Sequence, residues 1–385
     1  MDVPFDLPRG AWSRTVGGER SRLRHLDATL IFAALALGVF GVLMVYSATH
    51  RSLEVLGLTP TYYLKRQAIF LVLGIVAMAV TTVVDYRVYR VYAPFLYVGA
   101  VFLLLVVRTP LGSSALGAQR WFQIGGFQFS PSLFARLALI VMLAAALANV
   151  KGDLSFRDVM RAVLVAAVPM LLVFVQPDIG TTIVLAAILV GLLVVAGTKA
   201  RYLIALALVA ALAIFGAFQL HVIKDYQVQR LAGFLDPSKD LKRSNYNRHQ
   251  AEIAIGSGGL TGKGYLHGSQ TNLDFVPEQH TDFIFTVVGE ELGFFGGTLM
   301  LGLFGLLLWR AFRVALLAKD PFGTFIAIGV GCMIAVQLFV NVGMTLGIMP
   351  ITGIPLPFVS YGGSGLIADL IGVGLLLNVH MRRLS

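Results

Sequence analysis

"ATLIFAALALGVFGVLMVYSA", residues 28–48, runs for 21 residues without a charged side chain, and its reading decides the fold. Coiled as a helix at 1.5 Å per residue, it is long enough to cross the roughly 30 Å apolar core of a bilayer. The segment before it, "RSRLRHLD" (20–27), is polar and basic, as is most of the first 24 residues. A cleaved leader would pair a shorter apolar run with a small-residue cleavage site. The run is therefore expected to remain as a first membrane span.

Similar runs recur along the chain and predict spans at about 28–48, 67–84, 91–107, 131–149, 159–175, 179–198, 202–220, 282–307, 322–347 and 364–381. Composition agrees: 57% of the 385 residues are hydrophobic and only 13% charged, about half the charge of a soluble domain. The fold class expected is an all-α polytopic membrane protein with about ten transmembrane helices. A tail (1–27) precedes a single membrane domain (28–385), with one long loop (about 219–281) between spans seven and eight. An even span count puts both termini on one side. The two tails and the loops on their side hold 17 of the 30 Lys and Arg, while short loops opposite hold five. By the positive-inside rule the N- and C-termini are cytoplasmic and the long loop is extracellular. The net charge of +10 is thus an orientation signal, and with no exposed basic domain, no nucleic-acid partner is expected. Cys332, the single cysteine, lies in an apolar run and reads as a packing residue.

The outer face carries the polar motifs. In "VPEQHTDFIFTVVGEELG" (276–293) four acids sit in an otherwise apolar segment. Thr281 is a plausible helix N-cap and Asp282 an acid favoured at a helix N-terminus. Asp282 is equally a candidate general base, with Glu278 and His280 crowding the same boundary between water and lipid. On an unbroken helix Glu290 lies about 12 Å below Asp282 and about 80° around the axis, so both face one cavity, whereas Glu291 points away toward a structural pair. The run "IAIGSGGLTGKGYLHGSQ" (253–270) reads either as a string of turns or as a phosphate cradle in which Lys263 meets a diphosphate. It is no P-loop, because Gly264 stands where Ser or Thr would follow the lysine. The neighbouring "AEIAI" (251–255) suits a short interfacial helix.

Arg120 and Trp121 fall at the mouth of the fourth span, as interfacial anchors or as site residues, and Pro131 suits a first helical turn. Asp178, in a short turn after Pro177, suits capping of the next helix. "GIMPITGIPLPFVSYGGSG" (347–365) has three prolines in eight residues and reads as a stiff, re-entrant loop. Irregular backbone at membrane depth is tolerated where it is packed in protein or lines a cavity.

Together "LDFVPEQHTDFIFTVVGEELG", "VQPDIGTTIVLA", "GAQRWFQIGGFQFSPS" and the Pro-rich loop resemble the motifs of the SEDS proteins, the RodA and FtsW glycosyltransferases of bacterial wall synthesis. The loop motifs are closer to RodA. The resemblance spans nearly the whole chain. It implies a peptidoglycan glycosyltransferase of cell elongation and shape maintenance, polymerising lipid II at the outer face of the cytoplasmic membrane and releasing undecaprenyl diphosphate. It also implies that Asp282 is essential. As base, Asp282 takes the acceptor hydroxyl proton while Lys263, Arg120, Lys65 and Arg66 offset diphosphate charge, with Glu278, His280, Asp178, Ser360 and Glu290 as further substrate contacts. Alternatively Asp282 ligates a divalent cation, Mg2+ or Mn2+. The implied partners are lipid II, membrane lipids and a class B penicillin-binding protein. One departure stands out: Leu133 occupies a position where the family usually has Glu, and Arg136 one usually held by Lys. The competing reading is a lipid II flippase using Glu290, Glu291 and Asp369; a third is a structural scaffold.

Overall fold

The structure, a computed structural model, describes residues 26–115, 118–150, 152–219 and 244–383. Nearly all of the expected tail, and residues 220–243 of the long loop, lie outside them. In chain order the elements are α1 (Ala28–Val55), α2 (Tyr62–Val83), α3 (Tyr86–Val106), β1 (Ser113–Ala115), β2 (Ala118–Ile124), β3 (Phe127–Phe129), α4 (Pro131–Leu147), α5 (Phe156–Val175), α6 (Ile179–Val195), α7 (Ala200–Gln219), α8 (Ser244–Gly258), α9 (Ser269–Asn272), α10 (Ile284–Leu317), α11 (Pro321–Thr345) and α12 (Gly363–Met381).

Among the described residues seven helices, α1, α2, α3, α5, α10, α11 and α12, are long and apolar enough to cross a membrane. The other three expected spans fall on α4, α6 and α7, whose apolar stretches are shorter. Helix starts follow side-chain chemistry. Asp27 accepts from Leu30 N at 3.2 Å to cap α1, Ser155 and Asp158 form a capping box on α5, and Asp320 caps α11 just before Pro321. Each cap satisfies backbone donors that would otherwise be unpaired at a helix end.

α12 is the most enclosed of the seven long helices. It lies against α2 at two glycines: a Cβ on Gly74 would come within 2.4 Å of Leu370, and one on Gly374 within 2.0 Å of Thr81. Small residues let membrane helices approach this closely, where no hydrophobic driving force distinguishes protein from lipid tails.

Two features modify the expected helical picture. The stretch before α4 forms a small antiparallel sheet in the order β1-β2-β3. Ile124 pairs with Phe127 across a two-residue loop, Gly125 and Gly126, whose φ values are +55° and +84°. Positive φ at both positions is the turn that suits a tight hairpin, and Gly-Gly supplies it without steric cost. The Pro-rich loop before α12 is irregular and packed inside, with Ile354, Leu356, Phe358 and Val359 buried. Gly41 of α1 lets it close in, since a Cβ there would meet Phe358 O at 2.6 Å.

The glycine run does something other than cradle phosphate. α10 is interrupted at Gly293 (φ 61°, ψ −157°), where the bonds from Phe294 N to Glu290 O and from Phe295 N to Glu291 O of a continuous helix would fall. Instead Lys263 N and Gly264 N donate to Glu290 O and Glu291 O, both at 3.0 Å. Phe294 N and Phe295 N donate to Gly259 O and Leu260 O at 2.9 and 3.1 Å. The loop is spliced into the break, and four bonds replace two, the condition for breaking a helix in an apolar medium. Glycine is required for this approach: a Cβ on Gly262 (φ +79°) would lie 2.1 Å from Glu291 O. The amides of Lys263 and Gly264 are therefore committed, which rules out the cradle at those two positions. The expected short helix at 251–255 is present within α8, with Ala251 and Ala254 buried against Val276 and Phe283.

Candidate functional site

A cavity of about 720 Å³ opens at the end of the bundle that carries the sheet. Its walls come from the start of α2, the β-hairpin, the first turns of α4, the turn before α6, the His280–Asp282 segment and the loop into α12. Of the ten residues singled out from the sequence, Asp282, Arg66, Arg120, Glu278, His280, Asp178 and Ser360 line it; Lys65, Lys263 and Glu290 do not.

Asp282 does not belong to the helix. Phe283 occupies the N-cap position of α10 and no side chain caps that end. Thr281, expected as the cap, donates instead to Glu278 O and Glu278 Oε2 at 3.2 and 3.1 Å. Asp282 is half-buried, and its Oδ2 stands 3.4 Å from where a Cβ on Gly353 (φ +73°) would be. Only glycine suits that backbone, and it leaves room beside the carboxylate.

Beside Asp282 stands an aromatic wall that no single motif displayed. The His280 ring lies 5.1 Å from Tyr63 and 5.7 Å from Tyr361, and the two tyrosines meet edge to face at 4.8 Å. Burial pushes the His280 imidazole below its ordinary value of 6.5, while the Glu278 and Asp274 carboxylates pull it upward. His280 is thus a neutral wall at neutral pH. As pH falls below about 6.5 the unfolded chain takes up this proton before the folded one, so His280 weakens folding toward acid. His280→Phe is expected to flatten the fall in unfolding temperature between about pH 7 and about pH 5. Parallel curves for the two proteins would refute this linkage.

The cationic side of the cavity is built from two arginines. Arg66 lies over the rings of Tyr62 at 4.6 Å and Phe127 at 5.9 Å. Arg120 sits over Trp121 at 4.9 Å and pairs with Asp178 at 3.3 Å. Asp178 keeps the expected capping role as well, accepting from Thr181 N at 3.0 Å and Thr181 Oγ1 at 2.9 Å. The Nε of Arg120 is buried without a hydrogen-bond partner.

Deeper in the cavity, Arg136 faces Asp369 at 3.8 Å and donates to Gln337 Oε1, both charged residues being buried. Leu133 lines the same region and supplies only its carbonyl to Arg136. The charge of Arg136 is therefore balanced from α12, not from the position of Leu133. Ser360 is buried, accepting from Leu356 N and donating to Thr281 O; its contribution to the wall is structural.

Glu290, not Glu291, makes the structural ion pair, and neither glutamate lines the cavity. Glu290 is fully buried and accepts five hydrogen bonds: from Lys263 Nζ (2.7 Å), Ser269 Oγ (3.2 Å), Gln270 N (2.8 Å), Thr271 N (2.9 Å) and Thr271 Oγ1 (2.8 Å). Lys263 is consumed by this pair and stays outside the cavity. Glu291 is held by neutral donors, Ser47 Oγ at 2.6 Å and Leu266 N at 3.2 Å. The expected alignment of Glu290 with Asp282 fails because Asp282 precedes the helix. Lys65 is exposed. Among the described residues no group of three or more His, Cys, Asp or Glu could hold a metal ion, so a cation would rest on Asp282 and its substrate.

A family model described as "cell cycle protein", FtsW, RodA and SpoVE, matches residues 27–384. "Peptidoglycan glycosyltransferase MrdB" of Escherichia coli K12 is 39% identical over 359 residues, 93% of this chain and 94% of that protein. "Probable peptidoglycan glycosyltransferase FtsW" of Geobacter sulfurreducens is 38% identical over 363 residues, 94% and 96% of the two chains. Whole-chain identity thus does not separate the two branches. The Thermus thermophilus rod shape determining protein RodA superposes with a TM-score of 0.69 at 31% identity, over 94% of this chain and 98% of that one. A chain of a peptidoglycan synthase complex that coordinates polymerization and crosslinking gives 0.79 at 31% identity, over 94% and 99%.

Proposed function

This chain belongs to the FtsW, RodA and SpoVE family, and from that premise we propose that it polymerises lipid II at the cavity around Asp282. The observation that carries the reading is a half-buried carboxylate facing a cavity shared with Arg66 and Arg120, within a bundle of membrane-length helices. Asp282 takes the proton of the acceptor sugar hydroxyl as its oxygen bonds to the donor's anomeric carbon. The bond from that carbon to the diphosphate oxygen breaks, and undecaprenyl diphosphate leaves with the electron pair. Arg66, stacked on two rings, and Arg120, held by Asp178, stabilise the charge growing on the leaving group. Preorganised donors in a site shielded from water are the largest contribution such a site supplies. Alternatively, in place of acting as base, Asp282 would hold a divalent Mg2+ or Mn2+, which would supply positive charge for the diphosphate.

The chain crosses the cytoplasmic membrane ten times with both termini inside, which places the cavity on the outer face where lipid II presents its sugars. The basic residues on the tails and their loops support this orientation. The similarity to a chain of a peptidoglycan synthase complex supports a class B penicillin-binding protein as partner. Purified in detergent, the protein is expected to make glycan polymer from lipid II with no membrane to cross. A preparation that makes none, yet moves lipid II across vesicles, would overturn the reading in favour of transport.

A further inference from the structure

The segment His280–Asp282 is neither helix nor strand, yet three consecutive carbonyls in it are each bonded from another part of the chain. His280 O accepts from Tyr361 N at 2.9 Å, Thr281 O from Ser360 Oγ at 2.5 Å and Asp282 O from Asn341 Nδ2 at 2.8 Å. Thr286 N, which would reach Asp282 O in a continuing helix, donates to Phe283 O instead. The first two donors belong to one irregular loop. The third stands on α11, and Asn341 is fully buried there.

Asn341 spends both amide protons in one place. Its Nδ2 also donates to Ile354 O at 2.7 Å, one residue beyond Gly353, which borders the Asp282 carboxylate. A flipped amide would set Oδ1 against two carbonyls with no donor between them, so the hydrogen-bond network fixes the orientation. Oδ1 is buried without a partner. The side chain is thus kept for its two donated bonds, at the cost of an unsatisfied acceptor.

We propose that Asn341 is a positioning residue for the transfer reaction. By tying Asp282 O and Ile354 O to one rigid helix, it fixes both the backbone that aims the carboxylate and the wall the carboxylate stands against. This rests on the reading that Asp282 performs proton transfer. A small misplacement of a reacting group costs rate rather than affinity, because substrate contacts elsewhere in the cavity remain.

The test is a kinetic series on the full-length purified protein with lipid II. N341D preserves size and removes at least one of the two donated protons. Its kcat is expected to fall by about 30-fold with KM within about threefold. Its unfolding temperature is expected to fall further than that of T345V, another change at a fully buried side chain of α11, because an acid at 341 sets oxygens against two carbonyls, so kcat is read well below the unfolding transition. Combined with D282N, the change should add nothing, since there is no carboxylate left to aim. A kcat within about threefold of the parent, a rise confined to KM, or the same 30-fold loss on top of D282N would each overturn the proposal. If N341D does not fold, N341S, which keeps one short donor, carries the same test with a kcat loss of about tenfold expected. Near-normal polymerisation by D282N alone would instead overturn the underlying reading of Asp282, and the series reports the two failures separately.

Discussion

Asp282→Asn is expected to lower polymer formation from lipid II by about two to four orders of magnitude while leaving thermal unfolding almost unchanged. The separation follows from where the residue sits. Phe283, not Asp282, holds the N-cap position of α10, so the substitution removes no helix cap. Asn keeps the backbone carbonyl that Asn341 holds and nearly the same side-chain volume beside Gly353. What disappears is the ability to accept a proton and carry a negative charge. Glycan products resolved on gels from purified protein measure the first effect, and unfolding in detergent the second. Near-normal polymer from the Asn variant would remove both the base and the metal-ligand roles from this residue.

Glu290→Gln should cost about 3 kcal/mol or more of stability. The native carboxylate is a pure acceptor filled on both oxygens by Lys263, Ser269, Gln270 and Thr271. An amide in its place turns one end into a donor facing other donors, with no room to turn away in a fully buried site. Lys263 is about 28% exposed and can reach water, so most of the cost falls on the α9 amides. Through Thr271, whose carbonyl accepts from Gln279 Nε2, the damage should reach the His280–Asp282 segment and lower activity too. Denaturant unfolding would measure the loss, and a change below about 1 kcal/mol would mean the cage is not a stability element.

Much of this was readable before any coordinates because membrane spans are long and apolar and helix starts carry local caps. Asp178, read as a cap from the sequence, is one, and Asp27, Ser155 and Asp320 act equally locally, whereas Thr281 caps nothing because the helix starts beyond it. Asp282 and the Pro-rich loop stood out because polar or irregular backbone in an apolar chain demands a cavity. The Gly125–Gly126 hairpin is also legible, as two adjacent glycines between "QRWFQI" and "FQF". The remainder was not local. Tyr63, His280 and Tyr361 come from three separate segments, Arg136 and Asp369 from two helices, and the Lys263–Glu290 pair from a loop and a helix 27 residues apart. Helical spacing misled for Glu290 because it assumed one unbroken helix from Asp282 onward. Asn341 is one polar residue in an apolar helix, and its two acceptors lie in other segments of the chain, although a buried amide in such a helix needs partners.

The splice between the glycine run and the break in α10 also orders events during synthesis. Residues 259–264 leave the ribosome before residues 290–295 exist, so the backbone groups they will join are not yet made. Until span eight has been threaded into the bilayer, that part of the loop has no template and the amide ladder it completes cannot form. The nascent chain must hold it unpaired in water, then close it backward onto a later segment. Assembly of this joint is therefore a late step, governed by the insertion of a helix that follows the loop in the chain.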